Sequence, residues 1–285
     1  MANIRLIGRR IRSIQSTAKI TRAMEMIATS KMRRAQERGL EGRPYSEKIQ
    51  SVIADLAALS RGSEAMHPLL ERRQINKIAV VHITSDRGLC GGFNASVSRM
   101  TANFILGQNV PVIITVIGRK GQSFMTRAGR EIRATFTQMS DRPSLIDTLP
   151  ISRIVIDDYT SGLVDQVYLA YSQFISTMVQ RPVMEELLPV KPATIPPLQN
   201  VEYIYEPSAG VVLDGLLPRF VEMQVYHAML ESIASEQSAR MVAMRSATDN
   251  ANDLIQDLTL AYNKARQEMI TKELADITGG AVALE

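Results

Sequence analysis

From Asn3 to about Ser60, apolar or small residues recur in alternating steps of three and four: Ile4, Ile7, Ile11, Ile14, Ala18, Thr21, Glu25, Ala28, Met32 and Ala35. A seven-residue repeat of this kind predicts a helix that wraps a partner helix left-handedly. Only Pro44 interrupts it, and some 55 residues at 1.5 Å each make a rod on the order of 80 Å long, deeper than any compact domain. A second such stretch runs from Leu213 to Ala275. Its predicted seam is Leu230, Ile233, Gln237, Arg240, Met244, Ala247, Ala251, Leu254, Leu258, Ala261 and Ala265. Pro218 reads as a first-turn proline, and Gly279-Gly280 reads as the helix stop.

Between the two rods the pattern changes. Lys77–Thr84 and Val110–Ile117 are short β-branched runs, each followed by a glycine-containing turn and a helix-compatible stretch. A third run at Glu131–Thr137, a helical segment from about Ser144 to Tyr159, and strands near Gln166–Gln173 and Pro182–Pro189 complete an α/β unit. Unbroken apolar strands separated by helices imply a mainly parallel sheet covered on both faces.

The proline-rich segment from Lys191 to Ser208 reads as a linker. The expected organisation is an N-terminal coiled-coil helix over 1–60, a central α/β domain over 75–190, a linker over 191–209 and a C-terminal coiled-coil helix over 210–285. One long helix arrives at the central unit and the other departs from it, so they pair antiparallel. The fold class is α/β: a long antiparallel two-helix coiled coil from the two termini plus a central Rossmann-like α/β domain. This arrangement is a shaft with a side domain, and the second helix, at about 65 residues and on the order of 100 Å, outruns the first.

Composition narrows the chemistry. Of 285 residues, 45% are apolar, enough for a sizeable core. A single cysteine excludes an intramolecular disulfide, and three scattered histidines (His67, His82, His227) are poor material for a zinc enzyme. Aromatic residues at 5% are too few for base-stacking platforms. No apolar run approaches the roughly 20 residues of a bilayer-spanning helix, and the Arg-rich start lacks a signal-peptide apolar stretch. The expectation is a soluble chain that is not secreted.

The net charge of +4 is unevenly spread. Residues 1–48 carry 12 Lys+Arg against 4 Asp+Glu, and residues 210–285 carry 6 against 11. The ends are complementary in sign, which argues for docking with each other as strongly as for a nucleic-acid partner.

The segment Ser85–Asn94, with Gly88, Gly91 and Gly92, is a glycine-rich turn after the first strand, where α/β proteins bind phosphates. It matches neither the dinucleotide fingerprint nor the P-loop. A tight strand-to-helix crossover, with Asn94 or Ser96 as candidate caps, is the plainer reading. Cys90 in this loop lacks an evident base, and His82 inside a strand reads as a satisfied core or face residue.

Arg9, Arg10, Arg12, Lys19, Arg22, Lys31, Arg33, Arg34 and Arg38 spread around the first helix. They suit a solvated face, ion pairs with the acidic second helix, or a partner with acidic loops. Among the methionines, Met24 stands apart by lying off the seam beside Arg22.

Three stretches resemble the gamma-subunit family of the F-type ATP synthases: Ile20–Met32, Thr84–Asn94, and Ser238–Asn250 running on through Tyr262–Leu274. The likeness spans essentially the whole chain. It implies a rotor shaft inside a ring of three alpha and three beta subunits, standing on the membrane c-ring and contacting epsilon. It also implies a peripheral position on the cytoplasmic side of the inner membrane and a bacterial origin. By motif, Arg22 and Met24 are expected to face the acidic lever loop of beta, and Arg240, Gln267, Thr271 and Glu273 the beta catch region near the shaft top. No catalytic, cofactor-binding or metal-binding residue is expected, and neither nucleic acid nor direct membrane insertion. With Cys90 alone, the cysteine pair of the plant-type redox insertion is absent. Two other readings are a coiled-coil adaptor without a motor role and an α/β nucleotide-binding enzyme.

Overall fold

The computed structural model describes residues 2–59, 67–191, 205–206 and 208–282. Most of the linker expected over 191–209 lies outside these residues. In chain order the elements are α1 (Ala2–Leu59), a 3-10 turn (Pro68–Leu70), β1 (Ile78–Ile83), α2 (Phe93–Leu106), β2 (Val112–Ile117), α3 (Arg119–Arg127), β3 (Ile132–Phe136), α4 (Leu145–Thr160), β4 (Gln166–Phe174), β5 (Gln180–Leu188) and α5 (Ala209–Val282). Two compact units result. One comprises residues 29–239, and the other residues 1–28 with 240–285.

In the larger unit the strands lie in the order β3-β2-β1-β4-β5. The first four are parallel, and β5 returns antiparallel from β4 as an edge hairpin. The unbroken apolar strands follow from burial on both faces. Ala79, Val81 and Ile83 of β1 join one core cluster, while Ile78 and Val80 join the cluster on the opposite face. Helices α2 and α3 cover that opposite face through Phe104, Ile105 and Met125.

The other face is covered by α4 through Ile151, Val155 and Tyr159, and by segments of both long helices. Ile49, Ile53 and Leu56 of α1, with Leu213, Leu217, Val221 and Val225 of α5, share one core with the sheet. Leu56 and Leu217 are fully inaccessible to solvent, and each such side chain stabilises the fold by about 2 kcal/mol. The sheet therefore does not bury its second face without these helical segments.

In the smaller unit α1 and α5 pair. Glu25 meets Arg245, Thr21 meets Thr248, and Gly8 lies against Tyr262. As the α1 number falls the α5 number rises in step, so the helices are antiparallel.

The expected α1 seam is the observed one: Ile4, Ile7, Ile11 and Ile14 are half-buried, and Ala18, Thr21 and Ala28 are buried. The α5 seam departs from expectation. It passes through Met241, Met244, Thr248, Ala251, Ile255, Leu258, Tyr262 and Ala265, whereas Leu254 is half exposed and Ala261 is exposed. Between shared positions 244, 251, 258 and 265, each heptad takes its longer step first. Thr248 and Tyr262 carry hydroxyls, so a search for the most apolar or smallest residue passes over them.

Three further expectations are corrected. Gly279-Gly280 does not end α5, which continues to Val282, because glycine permits the left-handed stop without requiring it. Pro218 lies in the interior of α5, which begins at Ala209. The carbonyl it leaves without a helical donor belongs to Asp214, an exposed residue. Asn94 and Ser96 do not cap α2. Its N-cap is Gly92, with no side-chain bond, and Asn94 is turned to Ser85.

Candidate functional surfaces: the glycine-rich loop and the helix pair

The glycine-rich loop follows β1 at the carboxyl end of the sheet, beside the start of α3. A phosphate site there would need free amides at a helix N-terminus. Those of α3 are taken: Arg119 N–H donates to Asp86 Oδ1 at 3.0 Å, Lys120 N–H to the Ser85 carbonyl at 3.1 Å, and Gly121 N–H to Thr84 Oγ1 at 2.9 Å.

The loop's own polar groups close on each other. Ser85 N–H donates to Asn94 Oδ1 at 3.0 Å, and Ser85 Oγ donates to the Arg87 carbonyl at 2.6 Å. Cys90 is buried and accepts from Asn94 Nδ2 at 3.2 Å. These bonds make the loop a crossover brace. The close backbone approach is made from the β2–α3 turn, by Gly118 at φ +94°: a Cβ there would lie 2.3 Å from the Thr84 carbonyl oxygen.

His82 sits below this brace, inaccessible to solvent. Its Nδ1 is 3.0 Å from Thr101 Oγ1 and its Nε2 is 3.4 Å from Ser98 Oγ. Gly121 leans on the ring, since a Cβ there would come within 2.8 Å of Cδ2. Burial pushes the imidazole down to about 4 from its ordinary 6.5, because the charged form has no water and no counter-ion.

The depressed value makes His82 an acid-lability group. Below pH 6.5 the unfolded chain takes up a proton that the native ring refuses until about pH 4. Stability contributed by the neutral ring is full above pH 6.5 and falls as pH drops through that window. The loss is about 3 kcal/mol at the low end, at roughly 1.4 kcal/mol per pKa unit. A His82→Gln variant is expected to show a shallower fall of the urea midpoint between pH 7 and pH 4.5. An unchanged slope would remove His82 as the cause.

In the paired-helix unit, one seam layer is polar, and an ion pair flanks the seam. Thr21 Oγ1 and Thr248 Oγ1 are buried 2.7 Å apart, and each hydroxyl also reaches a carbonyl in its own helix, Ala18 and Met244 respectively. One turn away, Arg245 Nε donates to Glu25 Oε1 at 2.8 Å. The buried hydroxyl pair inside the seam penalises slipped alignments, because a shift separates Thr21 from Thr248 and takes from each its buried partner.

The Glu25–Arg245 pair runs against the overall charge asymmetry, with the acid on α1. The bases Arg5, Arg9, Arg10, Arg12, Lys19 and Arg22 stay exposed. Among the ion pairs of the described residues in this unit, the complementarity of the two ends does not form a ladder, and α1 presents a basic outer surface.

The expected contact residues divide by position. Arg22 is exposed and Met24 half-buried, two residues apart and hence on either side of the seam. Beside Met24, Ile20 and Ile27 are 59% and 55% exposed, forming with it an off-seam stripe at helical spacing that sequence reasoning missed. Its steps of four and three are legible in the sequence, but the stripe is short beside the longer seam repeat.

Arg240 is buried, 8% accessible. Gln267 and Thr271 share one face of α5 and line a shallow groove with Lys264, Glu268, Lys272 and Ala275. Glu273, two residues from Thr271, is exposed on the other side of the helix. The register places these last positions opposite the start of α1 or past it, where the single helix also exposes Ile270, Leu274 and Ile277. Among the described residues, no cluster of His, Cys, Asp or Glu is arranged to hold a metal ion.

The α/β unit is braced at its glycine-rich loop, and the antiparallel helix pair presents a basic and apolar outer surface. Comparison with known proteins specifies the class. The family model described as ATP synthase matches residues 3–284. The chain is 65% identical over its full length to the ATP synthase gamma chain of Dehalococcoides mccartyi, also covered in full. It is 48% identical to that of Chloroflexus aurantiacus, with all of this chain and 99% of the relative covered. The chain belongs to the ATP synthase gamma chain family and is its rotor-shaft subunit.

Among solved structures it resembles a chain of the central stalk/c-ring of the Tetrahymena thermophila mitochondrial ATP synthase. That match has a TM-score of 0.64 and 26% identity, covering 80% of this chain and 99% of the other. A chain of the Euglena gracilis mitochondrial ATP synthase shares the fold at a TM-score of 0.68 and 18% identity, with 99% and 95% covered. The assembly is membrane-associated, and no helix among the described residues is long and apolar enough to cross a membrane.

Proposed function

We propose that this chain couples proton flow through a membrane c-ring to ATP synthesis and hydrolysis in a ring of alpha and beta subunits, and contacts an epsilon subunit. In this reading the assembly is peripheral on the cytoplasmic face of the inner membrane. The chain does no bond chemistry. Its asymmetric surface presents different contacts to each catalytic site at each angle, so the affinities of the sites depend on the shaft and the shaft's preferred angle depends on the sites.

A proton crossing ~150 mV supplies only about 3.5 kcal/mol, at ~2.3 kcal/mol per 100 mV. The work of several protons must therefore be pooled for each nucleotide. A stiff element with a fixed register suits that pooling, and the buried Thr21–Thr248 layer beside Glu25–Arg245 supports such a register.

The observation that carries the proposal is the exposed basic and apolar surface of α1 around Arg22 and Met24, with Ile20 and Ile27 beside it. It suits an acidic, partly apolar lever loop of beta. On α5, Gln267 and Thr271 offer one polar face to a beta catch region and Glu273 offers another. Arg240 acts from inside the pair, fixing the helix that presents them.

Mixing the chain with alpha and beta subunits tests this directly. A stable, ATP-hydrolysing complex containing it is the expected result. Failure to join any ring would favour an adaptor role, and stoichiometric nucleotide binding by the isolated chain would favour an enzyme.

A further inference from the structure

The way the α/β unit grips α5 goes beyond this reading while resting on it. The β4–β5 hairpin reaches α5 through buried hydroxyls. Ser235 Oγ donates to the Ser172 carbonyl at 2.8 Å, and Ser238 Oγ donates to the Thr177 carbonyl at 2.6 Å while accepting from Gln180 Nε2 at 3.2 Å. Both serines are fully inaccessible to solvent. Ser172 lies beyond the last β1 partner of β4 and faces Pro182, so neither neighbouring strand has an N–H directly opposite it. The helix supplies a donor to that carbonyl.

The turn itself is closed by Ile175 N–H and Ser176 N–H to the Val179 carbonyl, at 3.2 and 3.0 Å. Its apolar side chains do not hold it down: Ile175, Met178 and Val179 are 50%, 71% and 51% exposed. The hairpin tip is therefore held to α5 by polar contacts.

Apart from its buried apolar contacts at Ile49, Ile53 and Leu56, the polar contacts of α1 with the β3–α4 connection are of another kind. Lys31 Nζ to Asp141 Oδ2 is short, 2.6 Å, but both side chains are open to water, and Arg38 reaches the Pro143 carbonyl at only 3.5 Å. Exposed pairs of this sort contribute little and exchange readily with solvent. Buried bonds to strand backbone are shielded from that exchange.

We propose that Ser235 and Ser238 form, with the β4–β5 hairpin, a polar clamp that adds to the apolar packing of α5 on the sheet in transmitting torque between the α/β unit and α5. A helix with its side chains is about 10–12 Å across, so any contact on it acts at a lever arm of about 5 Å and bears a large force for a given torque. Ser238 stands two residues before Arg240, where α5 enters the paired-helix unit. Twist applied to the α/β unit is handed to the helix there, before the two-helix segment that meets the partner ring. The serines are positioning residues, since they touch no reacting atom.

The test uses the assembled ATPase complex with the ring immobilised and a bead on α3 through Ser123→Cys, an exposed position. In an S235A/S238A rotor the angular variance of the bead during catalytic pauses is expected to rise about twofold, with unloaded hydrolysis unchanged. In parallel, amide exchange of Ser176–Gln180 is expected to accelerate at least tenfold, while amides of β1 keep their protection.

An accelerated hairpin with unchanged variance would overturn the torque role, and an unaccelerated hairpin would overturn the clamp itself. A chain that never joins or turns in the complex would instead count against the rotor reading.

Discussion

Gly118→Ala is expected to destabilise the α/β unit by at least ~3 kcal/mol, enough to leave a domain of ordinary stability marginally folded. Two costs combine. At φ +94° an L side chain is strained wherever it points, and the new Cβ would meet the Thr84 carbonyl oxygen at 2.3 Å and the Ser85 oxygen at 2.9 Å. Neither atom is the end of a flexible side chain. The Thr84 backbone is fixed by its N–H bond to the Ile117 carbonyl, and Gly118 N–H is itself bonded to the Phe136 carbonyl at 2.8 Å.

Gly129 provides the internal comparison. It has φ +64° and open space around its Cβ position, so Gly129→Ala carries only the backbone cost, about 1 kcal/mol. Urea midpoints of the two variants separate the clash from the conformation. Equal losses would mean that the approach of the β2–α3 turn to β1 is not what holds the crossover.

The same crossover shows what the sequence discloses and what it withholds. Strands β1 and β2 are legible because they are buried on both faces and read as unbroken β-branched runs. The failure of Ser85–Asn94 to match a phosphate-binding pattern is legible as well. What fills the place of the phosphate is not, because Asp86, Ser85 and Thr84 meet the α3 amides from more than thirty residues away.

In the helix pair, α1 is read correctly through its isoleucines, whereas α5 slips by one residue in alternate steps. Thr248 looks like a surface residue until Thr21 is placed against it. Serine is uninformative for a similar reason: Ser232, Ser235 and Ser238 recur every three residues and are all buried, but a hydroxyl's partner cannot be named without the strand it meets. Local pattern fixes element type and burial, while long-range polar pairing fixes phase and grip.

Met24→Lys is expected to lower the protons pumped per ATP hydrolysed severalfold while leaving assembly intact. Met24 is half-buried between the seam and the exposed Ile20 and Ile27, and its neighbour Glu25 is held by Arg245 at 2.8 Å. A lysine there adds a charge to a stripe that the proposed contact with beta must desolvate.

The fold tolerates this, because the position is open enough for a long chain to lead its charge to water. The contact tolerates it less. A new strong attraction to an acidic lever loop would be present at every angle that loop visits, and attraction that does not vary with angle contributes nothing to coupling. Hydrolysis should then continue while its link to rotation against a load weakens. Reconstituted vesicles report both quantities at once. An unchanged ratio of pumping to hydrolysis would show that Met24 lies outside the surface through which the shaft and the catalytic sites influence one another.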